Sequence, residues 1–88
     1  MTETEETRLK RLRMRSMRRG IKEMDIILTR FADARLAAMS SGELDVYERL
    51  LEENDQDLYQ WVTGQAPSPE DLSALIDDIA SLVEARQG

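Results

Sequence analysis

Neither cysteine nor histidine occurs in the 88 residues. That removes thiol nucleophiles, disulfides, the usual zinc ligands and the side chain that titrates most readily near neutral pH. Catalytic schemes built on an activated nucleophile lose a partner at once, which leaves chemistry carried by carboxylates and lysines. The expectation is a protein without catalysis and without a metal of its own. Aromatic residues make up only 5%, so Phe31, Tyr47, Tyr59 and Trp61 are each expected to matter for packing or contact. No apolar run approaches the roughly 20 residues of a membrane-spanning helix. The first six residues are acidic with no apolar stretch behind them, unlike a secretory signal. Glu3, Glu5 and Glu6 are equally unlike an acid-poor mitochondrial presequence. On these grounds the expected setting is the cytoplasm of a bacterium, away from membranes.

What is present is charge, and it is unevenly spread. Residues 1–22 hold eight bases against three acids, or +5, and residues 23–88 hold four bases against fifteen acids, or −11. A basic first segment on an acidic body is a contact surface in the making. Two fates are open to it. The bases can pair with the acidic body, or they can meet nucleic acid or an acidic protein surface. Nucleic acid is disfavoured by the net charge of −6 and by the lack of interleaved aromatics, zinc-finger, RNP or phosphate-loop patterns. A small nucleic-acid-binding or antitoxin-type regulator stays as the alternative reading.

Every clear periodicity is helical. A first helix is expected over about Glu6 to Arg18, with Leu9, Leu12 and Ser16 inward and Gly20 as its stop. A second follows over about Ile21 to Met39, with Ile21, Met24, Leu28 and Phe31 as its stripe, widened by Ile27, Ala34 and Ala38. Ser40 with Glu43 forms a capping-box pattern for a third over Gly42 to Glu53, with Leu44, Tyr47, Leu50 and Leu51 inward. Asn54 or Asp55 caps a fourth over Gln56 to Thr63, closed by Gly64. Ser68-Pro69-Glu70-Asp71 reads as the start of a fifth over Pro69 to Arg86, with Leu72, Leu75, Ile76, Ile79, Leu82 and Val83 inward. The fold class is therefore all-α: one domain over residues 1–88, a compact, antiparallel-leaning bundle of five short helices. Residues 1–5 are expected as a disordered tail, 65–68 as a linker and 87–88 as a frayed end.

Arg19-Gly20-Ile21-Lys22-Glu23 is the most informative segment. Its plain reading is an i, i+4 ion pair of Arg19 with Glu23 beside a helix cap, worth a few tenths of a kcal/mol, by the usual ~0.2–0.5, when exposed. Its functional reading is a docking point, because glycine lets another backbone approach and Arg and Glu flank the gap beside Met17 and Ile21.

The run Arg18-Arg19-Gly20-Ile21-Lys22-Glu23-Met24-Asp25, followed by Leu28 and Phe31, resembles the RGxxE signature of the FAD assembly factor SdhE family. In mitochondria this family is called succinate dehydrogenase assembly factor 2. The stretch Glu48-Arg49-Leu50-Leu51-Glu52-Glu53-Asn54-Asp55-Gln56-Asp57-Leu58-Tyr59-Gln60-Trp61-Val62 is similar to the family's second block. Phe31-Ala32-Asp33-Ala34 looks closest to alphaproteobacterial members. The resemblance implies a five-helix binding protein that acts, as one copy, on the flavoprotein subunit of succinate dehydrogenase or fumarate reductase. There it promotes the covalent bond between FAD and a histidine of that subunit, so the FAD belongs to the partner and the chain needs no cofactor of its own. The signature maps onto Arg19, Gly20 and Glu23. Arg18, Ile21, Asp25, Arg15 and Met17 complete the expected partner-binding set. Many members carry an aromatic residue late in the first helix, where this chain has Met14, Arg15 and Met17.

Overall fold

The computed structural model describes residues 3–87, with side chains through Val83. Among them there are five α-helices and no strand. They are α1 (Glu5–Met17), α2 (Lys22–Arg35), α3 (Ser41–Leu50), α4 (Asp55–Val62) and α5 (Ser73–Gln87), with 3₁₀ turns at Leu36–Ala38 and Glu70–Leu72. The all-α expectation holds. Residues 1 and 2 of the expected tail and residue 88 of the expected frayed end lie outside the described residues. Order begins earlier than the sequence suggested: Thr4 caps α1 by accepting from the Thr7 N–H at 3.1 Å, and Glu5 is already helical. Threonine is a good N-cap, and the acids behind it suit the positive helix end.

The predicted capping box is present, with Ser40 accepting from the Glu43 N–H and Glu43 from the Ser40 N–H. Asn54 caps α4 through the Gln56 N–H at 2.8 Å. Gly64 closes α4 with φ at 79°. Its N–H meets Trp61 O at 3.3 Å and the Gln65 N–H meets Gln60 O at 2.8 Å, the doubled turn that a left-handed glycine permits.

Three boundaries differ from the sequence reading by more than two residues. The second helix gives way after Arg35 to the turn Leu36–Ala38, which drops Leu36 into the core. The stripe therefore drifts through Ala32 and Leu36, and Ala34 and Ala38, expected inward, face solvent. The third helix stops at Leu50, but Leu51 is buried as expected. The fifth helix starts at Ser73, not Pro69, because Pro69 is extended (φ −57°, ψ 145°). Pro67 and Pro69 each hold the preceding residue away from helical geometry, and the tight turn Glu70–Leu72 then carries Leu72 into the core.

The core gathers Leu12 of α1, Met24, Leu28 and Phe31 of α2, Leu44, Tyr47 and Leu50 of α3, Leu58 of α4, and Leu72, Ile76 and Ile79 at the C-terminal end. Phe31 and Tyr47 tilt against each other at 32° with ring centroids 5.5 Å apart, within the favourable range for an aromatic pair. The Tyr47 hydroxyl lies 2.5 Å from Ser16 Oγ, and Ser16 gives its own proton to Leu12 O at 2.8 Å. Since serine has one proton to give, Tyr47 is the donor of the short bond. Burial pushes the Tyr47 phenol up to about 12, outweighing the hydrogen bond with Ser16 and the charge of Arg19, which pull it down. A raised value means that this contribution to stability is complete below the unfolded value near 10 and is lost as pH rises towards 12. Tyr47→Phe is expected to destabilise the protein by about 1 kcal/mol in urea denaturation at pH 8. The gap to the wild type then narrows as pH is raised from 10 towards 12.

Candidate functional site

The basic face of α1 is occupied largely by the chain itself. Arg8 pairs with Asp45 at 2.5 Å and Glu48 at 3.2 Å, and Arg11 pairs with Glu48 at 2.9 Å. Arg15 pairs with Glu52 at 2.6 Å, and Arg19 with Asp55 at 2.7 Å. The partners advance together at a sequence separation of 36 or 37 residues, so α1 and α3 run in the same direction along a charge ladder. Arg11 also holds Glu3 at 2.8 Å, and Arg13 lies 3.7 Å from Asp33 of α2. A hydrogen bond donated by Arg11 lowers the Glu48 carboxyl below its ordinary value, and donating to Asp45 and Glu48 raises Arg8. Of the eight bases in residues 1–22, only Lys10, Arg18 and Lys22 make no ion pair among the described residues. Exposed rungs of this kind are worth little singly, ~0.2–1 kcal/mol.

The last rung is different because it is the most withdrawn from solvent. Between α1 and α2 the chain turns through Arg18 (φ −120°, ψ 65°) to Ile21, whose extended backbone precedes α2 without a side-chain cap. The turn points the Arg19 side chain inward, where it is 8% exposed against Asp55 at 15%. Its guanidinium gives Nε to Asp55 Oδ1 and its two terminal nitrogens to Leu51 O at 3.1 Å and Glu53 O at 3.3 Å. The other carboxylate oxygen of Asp55 accepts the Gly20 N–H at 2.5 Å. A cation thus sits on the carbonyls at the end of α3 and an anion on the first turn of α4, each at the helix end whose dipole favours it. A Cβ on Gly20 would stand 3.1 Å from Asp55 Oδ2. The carboxylate is held by two donors, Arg19 on Oδ1 and the Gly20 N–H on Oδ2, so the glycine answers a close approach made inside the chain.

The expected site set is therefore split. Arg15, Arg19 and the Gly20 N–H are engaged within the fold. Among the described residues Arg19 forms no ion pair with Glu23, contrary to the plain sequence reading, because Asp55 has taken the guanidinium. Arg18 and Glu23 are exposed, as is Met17 at 49%, and Ile21 is half-buried. They share the outside of the junction with two residues that the sequence reading did not single out for binding: Met14 at 47% and Ile26 at 48% exposed. A groove of about 410 Å³ runs there, lined by Met17, Lys22, Asp25, Ile26, Thr29, Arg30 and Asp33. In the sequence Asp55 stands out only as a possible cap and as part of the second block. Matching charge intervals could have revealed it as Arg19's partner, since the bases at 8, 11, 15 and 19 face acids at 45, 48, 52 and 55.

Fold and junction together define a small helical domain that presents a methionine-flanked, charged face at the α1–α2 turn. The chain belongs to the family of flavinators of succinate dehydrogenase, whose family model matches residues 10–83. It is 48% identical over 61 residues to "Succinate dehydrogenase assembly factor 2, mitochondrial" of Meyerozyma guilliermondii, covering 69% of this chain and 45% of that protein. Proteins of the same name from Aspergillus terreus and Aspergillus flavus are 49% identical over 57 residues and 41% over 63. These cover 65% and 72% of this chain but 19% and 22% of theirs. The chain thus spans less than half the length of each of these relatives. Their mitochondrial setting overturns the expectation of a cytoplasmic, alphaproteobacterial protein. The acidic first residues and the Phe31–Ala34 arrangement were poor guides to compartment and source.

Removing either partner of the buried pair strands the other. Arg19→Ala and Asp55→Ala are each expected to cost about 3 kcal/mol, the lower end for a broken buried pair because Asp55 keeps some contact with solvent. The double variant should cost clearly less than the two together, as read by denaturant unfolding; simple additivity would mean that the pair does not act as a unit.

Proposed function

We propose that this chain binds the flavoprotein subunit of succinate dehydrogenase through the outside of the α1–α2 junction and promotes covalent attachment of FAD to it. The observation that carries this reading is the family match over residues 10–83, which takes in the whole junction and both recognisable blocks. The exposed part of the junction supports it: Met14, Met17 and Ile26 supply apolar contact beside the charges of Arg18 and Glu23. Large side chains flanked by charge are the ordinary make-up of a docking surface.

The factor needs no catalytic group of its own in this scheme. It holds a partly folded flavoprotein so that the acceptor histidine and the flavin stay in reactive geometry, and such restriction alone can remove roughly 7 kcal/mol or more of a barrier. The FAD is the partner's, and the factor leaves once the bond has formed. Arg19, Gly20 and Asp55 set the shape of the junction, and Glu23 meets the partner. The nucleic-acid alternative loses its ground because Arg8, Arg11, Arg13, Arg15 and Arg19 are paired within the chain.

In-gel flavin fluorescence of the denatured flavoprotein reads covalent FAD alone. Wild-type chain added to the apo-flavoprotein with FAD should raise that signal several-fold. Glu23→Ala, exposed and outside the core, should leave folding intact and lose most of the gain. Full activity of Glu23→Ala would remove Glu23 from the docking face, and no gain with the wild type would contradict the function.

A further inference from the structure

Asp25 carries an irregularity that the fold does not explain. Its Oδ1 is buried and has no hydrogen-bond partner among the described residues. Nearly all buried polar atoms in folded proteins find a partner, and a stranded carboxylate oxygen destabilises the fold that contains it. Three donors line the same groove as Asp25 and none serves. Lys22, one turn earlier, and Arg30 form no ion pair with Asp25 among the described residues, and Thr29, one turn later, gives it no hydrogen bond. Met17 and Ile26 are the apolar neighbours there. The residue sits on the docking side of the junction, where such a cost is tolerated when function requires it.

We propose that Asp25 is the acceptor for an arginine side chain of the flavoprotein subunit, which enters this groove on docking. The inference rests on the proposed function and deepens it. A guanidinium fits the observations for three reasons. It answers the carboxylate's charge, it donates through a planar fork that can hold both carboxylate oxygens, and its stem is apolar enough to lie along Met17 and Ile26. In the unbound chain one oxygen is held in poor surroundings. A modest turn of the Asp25 side chain towards the incoming donor relieves that and adds a charge-assisted bond. Binding energy thus comes partly from a defect already present in the free protein.

This arrangement has a signature that a structural aspartate would not give. Asp25→Asn and Asp25→Ala are compared with wild type in two measurements: thermal unfolding of the chain alone, and the dissociation constant for the full-length apo-flavoprotein subunit with FAD present. The variants should unfold at the wild-type temperature or above it, yet bind the flavoprotein at least tenfold more weakly. Variants that bind as tightly as wild type would overturn the role of Asp25 and leave the proposed function standing. Variants that unfold several degrees lower would also overturn it, since Asp25 would then be holding the fold. A wild-type chain that does not bind the flavoprotein would overturn both.

Discussion

The carboxylate of Asp55 answers two donors from one turn of chain, the Arg19 guanidinium and the Gly20 N–H, and the rest of the junction takes its shape from that. Arg19 extends the bond to Leu51 O and Glu53 O, so the end of α3, the start of α4 and the α1–α2 turn are fastened at a single point. Neither charge could be buried alone, and each supplies what the other's desolvation demands. The outer face of the turn is consequently displayed by a fixed backbone. Arg18, Glu23 and Met17 project from it while their neighbours are committed inward.

The same logic runs along α1 in weaker form. The +5 of the first 22 residues and the −11 of the remainder meet as a ladder between α1 and the acids at the end of α3 and beyond. The asymmetry that suggests an external acidic partner is therefore largely consumed at home. What remains for a partner is smaller and more specific: Lys10, Arg18 and Lys22, with Met14, Met17 and Ile26 exposed among them. A family of binding proteins has reason to keep its excess charge paired. Unpaired bases would draw it to any polyanion, and specificity depends on suppressing such contacts.

Most of the fold was legible in the sequence because local rules dominate helices. The Ser40 box, the Asn54 cap and the Gly64 stop are each decided within a few residues, and the Leu and Ile stripes of α3 and α5 name their own core positions. The errors came where tertiary packing overrides local pattern. Pro69 carries every mark of a first helical residue, yet the core's demand for Leu72 delays the helix to Ser73. Ala34 and Ala38 fit the stripe arithmetically, but the larger Leu36 takes the core position. In the site, Arg18 and Glu23 are exposed. Arg19 was read as Glu23's neighbour because four residues is an obvious spacing, whereas its true partner lies 36 residues away. The unpartnered oxygen of Asp25 has no trace in the sequence, since it depends on what fails to reach it.

The account stands on the Gly20 N–H being held by Asp55, and amide hydrogen exchange observed by NMR tests this directly. Gly20 lies in an exposed turn outside any helix, so nothing in its secondary structure would slow exchange. The wild-type amide should exchange far more slowly than an unstructured glycine and should lose that protection in Asp55→Asn, with the α1 and α2 amides changing much less. Exchange of the wild-type Gly20 amide at the unstructured rate would contradict the clamp on which the rest of the junction depends.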